Sequence, residues 1–201
     1  MPENLHKEVI ELFSDILKDN KIKKHLKILR NYHEETCEHC LRVGLISMEL
    51  GYRNFLSKKQ LKKLGYAGIF HDIGKIEISK GILSSRKSLN KIERSSIEHH
   101  PRIGFTKLKK IGCKEIGKII IAHHEFQENP YPRKKNIKKI KERRRKDVKI
   151  KKLAQILSLA DMYDALAHER TYKKSLTKKQ TVQKIQKEFK GEKSYLKIKD
   201  G

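Results

Sequence analysis

Apolar positions along this chain recur at helical spacing, beginning with Val9, Phe13, Ile16 and Leu17, which share one face at intervals of three, four and seven. No alternating strand pattern competes with it. Polar caps divide the pattern. Ser57 with Gln60 opens a segment that runs to Phe70, Asn90 with Glu93 opens one that stops before Pro101, and Thr177 with Gln180 opens one ending near Gly191. Leu41, Leu45, Ile46 and Met48 mark a dense core helix ending at Gly51. Ile116, Ile119 and Ile120 lead into His123, and Leu153, Ile156, Leu157 and Leu166 make the longest late helix. The spacing predicts an all-α bundle of roughly seven to nine helices. Residues 1–31 read as an N-terminal helical extension with two short helices and no sensor domain before it, and residues 32–201 as the main domain.

Composition narrows the function classes. Of 201 residues, 49 are Lys or Arg and 24 are Asp or Glu, a formal charge of +25 that points towards a polyanionic partner. More than a third of the excess lies in one stretch, Arg133 to Lys152, where thirteen Lys or Arg face only Glu142 and Asp147. It follows the turn-prone Asn129-Pro130-Tyr131-Pro132 and is expected on a loop with a helical end. Either it contacts nucleic acid or it is a solvated insertion; Trp is absent and aromatics are 6%, so a stacking platform for single strands is poorly supplied. Cys37, Cys40 and Cys113 cannot all pair within one chain, which fits a reducing compartment. With no apolar run of membrane-spanning length and an acidic start, the chain reads as soluble and cytoplasmic.

The candidate chemistry is a histidine and carboxylate set. His71 and Asp72 end an apolar segment in FHDIGK, where neighbouring side chains can offer an imidazole nitrogen and a carboxylate oxygen together. Glu35 and His39 lie at i and i+4, on one helical face. His100 precedes Pro101 and is expected to end its helix with its side chain pointing inward. His123 and His124 form a second adjacent pair, and Asp161 sits among apolar residues in LSLADMYDAL, where a buried carboxylate needs a partner. Each has a plain structural explanation taken singly. Together they form a mixed nitrogen and oxygen set suited to Fe, Mn, Zn, Ni or Co rather than to Mg or Ca alone. Cys37 and Cys40, although spaced as CxxC, lack a second pair for a zinc site and read as packing residues. Asp164 is expected behind the ligands or at a neighbouring helix end.

Five blocks, ETCEHCLRV, GIFHDIGKIEI, EHHPRIG, IIAHHE and LADMYDALAHERTYKK, stand in an order and, up to Glu125, a spacing that resembles the HD superfamily of metal-dependent phosphohydrolases, and within it the HD-GYP cyclic-dinucleotide phosphodiesterases. The resemblance implies an HD-domain helical bundle whose metal centre comprises His39, His71, Asp72, His100, His123, His124 and Asp161. Glu35 stands where a trinuclear subset of the family has a ligating glutamate, so two or three divalent transition metals are expected, Fe or Mn before Zn, Ni or Co. Lys75 matches a conserved-pattern lysine that would stabilise the transition state alongside the metal-activated hydroxide, with Asp72 its catalytic neighbour. Arg170 and Lys173 match cations that hold substrate phosphate, and Tyr131 borders the substrate site.

One block departs from the family. The glycine-rich loop ending in Gly-Tyr-Pro reads FQENPYP here, one residue shorter and with Pro130 replacing the glycine, whose backbone freedom proline lacks. Three functions therefore stay open: hydrolysis of a cyclic dinucleotide, cyclic di-GMP foremost; an HD phosphohydrolase acting on another nucleotide or an RNA phosphoester, with the basic stretch as its track; and a signalling module that binds nucleotide or protein without turnover. The sequence leaves oligomeric state open.

Overall fold

The computed structural model describes residues 5–131, 147–168 and 175–198, and they are helical with no strand among them. Nine helices of seven or more residues follow in order: α1 (Lys7–Leu17), α2 (Asn20–Tyr32), α3 (Glu34–Arg53), α4 (Lys58–Phe70), α5 (Lys91–Glu98), α6 (His100–Lys110), α7 (Lys114–Ile120), α8 (Val148–Ala167) and α9 (Lys178–Glu188). A 3-10 turn (Ile73–Glu77) and a single helical turn (Lys80–Leu83) link α4 to α5. The predicted capping boxes form at Ser57, Asn90 and Thr177, each satisfying backbone donors that the first turn leaves over.

One hydrophobic core runs through the bundle, with α3, α4 and α8 at its centre. Val9, Leu12, Phe13 and Ile16 of α1 enter that same core rather than forming a separate one. The α3–α4 crossing is close enough to need glycine on both sides: a Cβ on Gly68 would lie 2.4 Å from Gly44 Cα. Cys37 and Cys40 are fully buried against Leu29 in a small satellite cluster, in keeping with a packing role. His25 is a core histidine, bonded through Nε2 to the Ile69 carbonyl at 3.2 Å; burial pushes it down to about 4, so it is neutral.

Two boundaries differ from expectation. The core helix α3 continues past Gly51 to Arg53, because Arg53 Nε donates to Glu49 at 2.6 Å one turn back and holds the last turn in place. His100 does not end a helix; it begins α6, with Pro101 in the first turn, where proline's missing N–H costs nothing. Of the basic stretch, residues 133–146 lie outside the described residues. Lys149, Lys151 and Lys152 form the opening of α8, which Asp147 caps by accepting from Ile150 N at 3.1 Å.

Candidate metal centre

Five elements deliver the polar side chains to one place. α3 presents Glu35, His39 and Arg42 on successive turns of one face; the end of α4 and the following turn present His71, Asp72 and Lys75; α6 opens with His100; the turn after α7 carries His123 and His124; and α8 supplies Asp161 and Asp164. Gly74 makes this convergence possible, since a Cβ there would sit 2.1 Å from the His100 carbonyl oxygen.

Hydrogen bonds set the tautomers. His71 Nδ1 faces the Gly68 carbonyl at 2.7 Å, His100 Nδ1 the Ile97 carbonyl at 2.7 Å, and His123 Nδ1 the Ile120 carbonyl at 2.5 Å. His39 Nδ1 lies 2.7 Å from Asp164 Oδ2. Those oxygens only accept, so each Nδ1 carries a hydrogen and it is Nε2 that each ring turns inward, as a lone pair in the neutral form. The lone pairs meet head on: His39 Nε2 is 3.2 Å from His71 Nε2, and His100 Nε2 is 3.3 Å from His123 Nε2.

The carboxylates add to this crowding of acceptors. Asp72 reaches both histidine pairs, with Oδ2 at 3.3 Å from His71 Nε2 and Oδ1 at 3.1 Å from His100 Nε2. Asp161 Oδ1 stands 3.1 Å from His39 Nε2, and Asp161 Oδ2 3.8 Å from His124 Nδ1. Asp72 Oδ1 is buried with no hydrogen-bond donor. Lone pairs facing each other in a buried site require cations between them.

Protons are poor candidates for that role at most of these rings. Burial pushes His100 down, takes His123 well below the ordinary imidazole range, and takes His124 to about 3 against the pull of Asp161. At His71 burial acts the same way, but Asp72 and Cys40, each by charge and by hydrogen bond, together outweigh it and raise the ring well above its usual value. Asp72 and Asp161 resist burial because histidines and, for Asp72, Lys75 surround them; both stay well below the usual carboxylate range. Three sets of side chains have donor atoms within 4.8 Å of one another: His39, His71 and Asp72; His71, His123 and Asp161; and His100, His123 and His124. This nitrogen and oxygen donor set fits divalent transition metals.

Behind the ligands, Asp164 is completely buried and does two things. It accepts from His39 Nδ1 and from Arg42, whose Nε and Nη2 donate at 2.7 and 3.1 Å. Arg42 was not expected from the sequence, although its position three residues after His39 puts it on the same face. Gln127, also unexpected, places its side-chain amide 2.8 Å from His124 Nδ1.

The centre forms the floor of a cavity of about 580 Å³. Lys75 lies at its edge, Nζ donating to Asp72 Oδ2 at 2.7 Å, and Tyr131 stacks on His124 with ring centroids 4.3 Å apart. Glu35 lines the same cavity, half-buried, but belongs to none of the three close sets. Arg170 and Lys173 lie outside the described residues.

A family model, HD domain, matches residues 36–166, a span that contains His39, His71, Asp72, His100, His123, His124 and Asp161 and begins one residue after Glu35. The chain belongs to the HD domain family. Among its relatives this HD domain is 32% identical over 153 residues to a cyclic di-GMP phosphodiesterase of Thermotoga maritima, covering 74% of this chain and 39% of that protein. It is 25% identical over 182 residues to a cyclic di-GMP phosphodiesterase of Pseudomonas aeruginosa, 88% of this chain and 41% of the relative. A 3'3'-cGAMP-specific phosphodiesterase of Vibrio cholerae is 27% identical over 143 residues, 70% of this chain and 29% of the relative. The matched region thus spans well under half the length of these curated relatives. The HD domain of the Listeria monocytogenes phosphodiesterase PgpH, solved with cyclic-di-AMP, shares the fold, with a TM-score of 0.55 at 17% identity over 82% of this chain and 80% of that one. No helix among the described residues of this HD domain is long and apolar enough to cross a membrane.

Proposed function

We propose that this HD domain is a cytoplasmic, metal-dependent phosphodiesterase that hydrolyses a cyclic dinucleotide, cyclic di-GMP foremost. The observation that carries the reading is Asp72, whose two oxygens reach two separate histidine pairs at the floor of a cavity within the roughly 300–1,000 Å³ typical of small-ligand sites. His39, His71 and Asp161 would hold one metal and His100, His123 and His124 another, with Asp72 within reach of both sets. Glu35 would hold a third. Iron or manganese is favoured by the mixed imidazole and carboxylate set.

When bound, such metals supply Lewis acidity to a phosphate oxygen and make water a competent nucleophile at neutral pH. The chain's own residues do the rest. Lys75 stands beside Asp72 with its ammonium at the cavity edge, where it would donate to a phosphate oxygen as negative charge accumulates. Asp164 and Arg42 keep the His39 ring in one tautomer and one orientation. Arg170 and Lys173 would neutralise the remaining phosphate oxygens. No side-chain nucleophile is needed for an in-line displacement at phosphorus.

The test is product analysis with protein purified anaerobically and loaded with Fe(II) or Mn(II), supplied with cyclic di-GMP, 3'3'-cGAMP, cyclic di-AMP and a simple diester, bis(p-nitrophenyl) phosphate. Metal-dependent release of linear dinucleotide or mononucleotide is expected. Asp72→Ala should abolish it with helicity retained. Wild-type-like turnover in that variant, or metal-loaded protein that cleaves none of the four diesters, would overturn the reading.

A further inference from the structure

The cavity wall formed by α5 is not used by the chemistry above. Arg94 and Glu98 sit one turn apart on that helix and both line the cavity, with Ile97 between them. Residues at i and i+4 on an exposed helix commonly pair with each other, and an arginine followed by a glutamate would read as a solvated ion pair. Here the two side chains are not within ion-pair distance, and neither side chain forms a hydrogen bond or ion pair among the described residues. Glu98 is half-buried and near Tyr131, whose phenol is pushed well above its ordinary value by burial first, then by the Asp161 and Asp72 charges, with Glu98 adding to them. The Tyr131 ring, backed by His124, and the Ile97 side chain give that part of the cavity surfaces suited to a flat base.

We propose that Arg94 and Glu98 read the edge of a guanine, making this wall the element that selects guanine-containing over adenine-containing cyclic dinucleotides. The inference rests on the cyclic-dinucleotide reading above. Guanine offers two adjacent donors, N1–H and the N2 amino group, beside two acceptors, O6 and N7. A carboxylate only accepts and a guanidinium only donates, so Glu98 matches the first pair and Arg94 the second. Their spacing of about 5–6 Å along one helix face is comparable with the breadth of that edge. Adenine inverts the pattern at N1 and at position 6 while keeping the N7 acceptor. Its N1 lone pair would face the half-buried Glu98 carboxylate, which loses its donors, and its N6 amino group would face Arg94, which is exposed and keeps only N7 of its two acceptors.

The decisive experiment measures both binding, by calorimetry on metal-free protein, and kcat/KM on metal-loaded protein, for cyclic di-GMP and cyclic di-AMP. Wild type is expected to favour the guanine ligand roughly ten- to hundred-fold for each well-formed bidentate contact. Glu98→Gln offers one acceptor and one donor, the pattern adenine pairs with, so the preference should fall by roughly ten-fold or more with metal content unchanged. Arg94→Ala should also lower the guanine preference and guards against a folding defect peculiar to the first variant. Equal binding of the two dinucleotides by wild type, or a preference that survives both substitutions, overturns the base-reading role. Failure of the parent reading looks different: metal-loaded wild type then leaves every diester intact, while calorimetry still reports which base, if either, is preferred.

Discussion

Asp164→Asn isolates the buried group behind the ligands, because it removes one charge and nearly no volume. Asp164 is fully buried, and its carboxyl is held at about 2 against an ordinary 3.8: burial opposes ionisation, but the His39 N–H and the Arg42 guanidinium outweigh it. At 1.36 kcal/mol per pH unit, that difference corresponds to roughly 2 to 2.5 kcal/mol of folding stability at pH 7. The folded value lies below the unfolded one, so this contribution is complete above about pH 4 and disappears as pH falls from 3.8 towards 2. Asparagine can still accept from His39 Nδ1, but its amide nitrogen then points donors at Arg42, whose side chain is only 21% exposed and has Glu38 at 3.8 Å as its other acid. Urea unfolding of the two proteins at pH 7, 5, 4 and 3 should show a constant gap at the first two values that narrows at the last two. Looser restraint of the His39 ring should also weaken metal binding about 10- to 100-fold by titration calorimetry. A gap of the same size at pH 3 as at pH 7 would refute the electrostatic reasoning, and unchanged metal affinity would refute the positioning role.

Other perturbations probe the same centre from different directions. Gly74→Ala inserts a carbon where the His100 carbonyl already lies, so the variant should bind less metal than wild type while keeping most of its helicity, as measured by elemental analysis and circular dichroism. Glu35→Gln should lower bound metal by about one ion per chain with the others retained, if the cavity glutamate completes a third site; equal metal content in variant and wild type would assign it to the wall alone. His25 is neutral because burial holds it at about 4, so wild type should lose stability as pH falls from 6.5 to 4, where the unfolded chain takes up a proton that the folded chain refuses. His25→Gln should lose less over that window, by roughly 3 kcal/mol, in paired denaturation curves.

Much of this protein was legible before any coordinates, because the information is local. Helical spacing and the capping boxes at Ser57, Asn90 and Thr177 depend on neighbours within one turn, so they place α4, α5 and α9 from the chain alone. The HD domain motif blocks likewise name, in order, the histidines and aspartates that the fold brings together. What no local pattern contains is which lone pairs face each other. His25 and His39 look alike as histidines in amphipathic helices, yet one packs on Phe70 as a neutral core ring and the other opposes His71 and Asp161. Nothing in the local pattern marks Glu49 as buried beneath His6 and Arg53. Nor does the spacing of Arg94 and Glu98 show that both line the cavity beside α5. His100 changes from the end of one helix to the start of the next because Pro101 permits either, and only its packing against Gly74 decides. Local periodicity and capping act over a few residues and determine the elements; burial and long-range electrostatics act between residues far apart in the chain, such as His39 and Asp164, 125 positions from each other, and those only the tertiary structure decides.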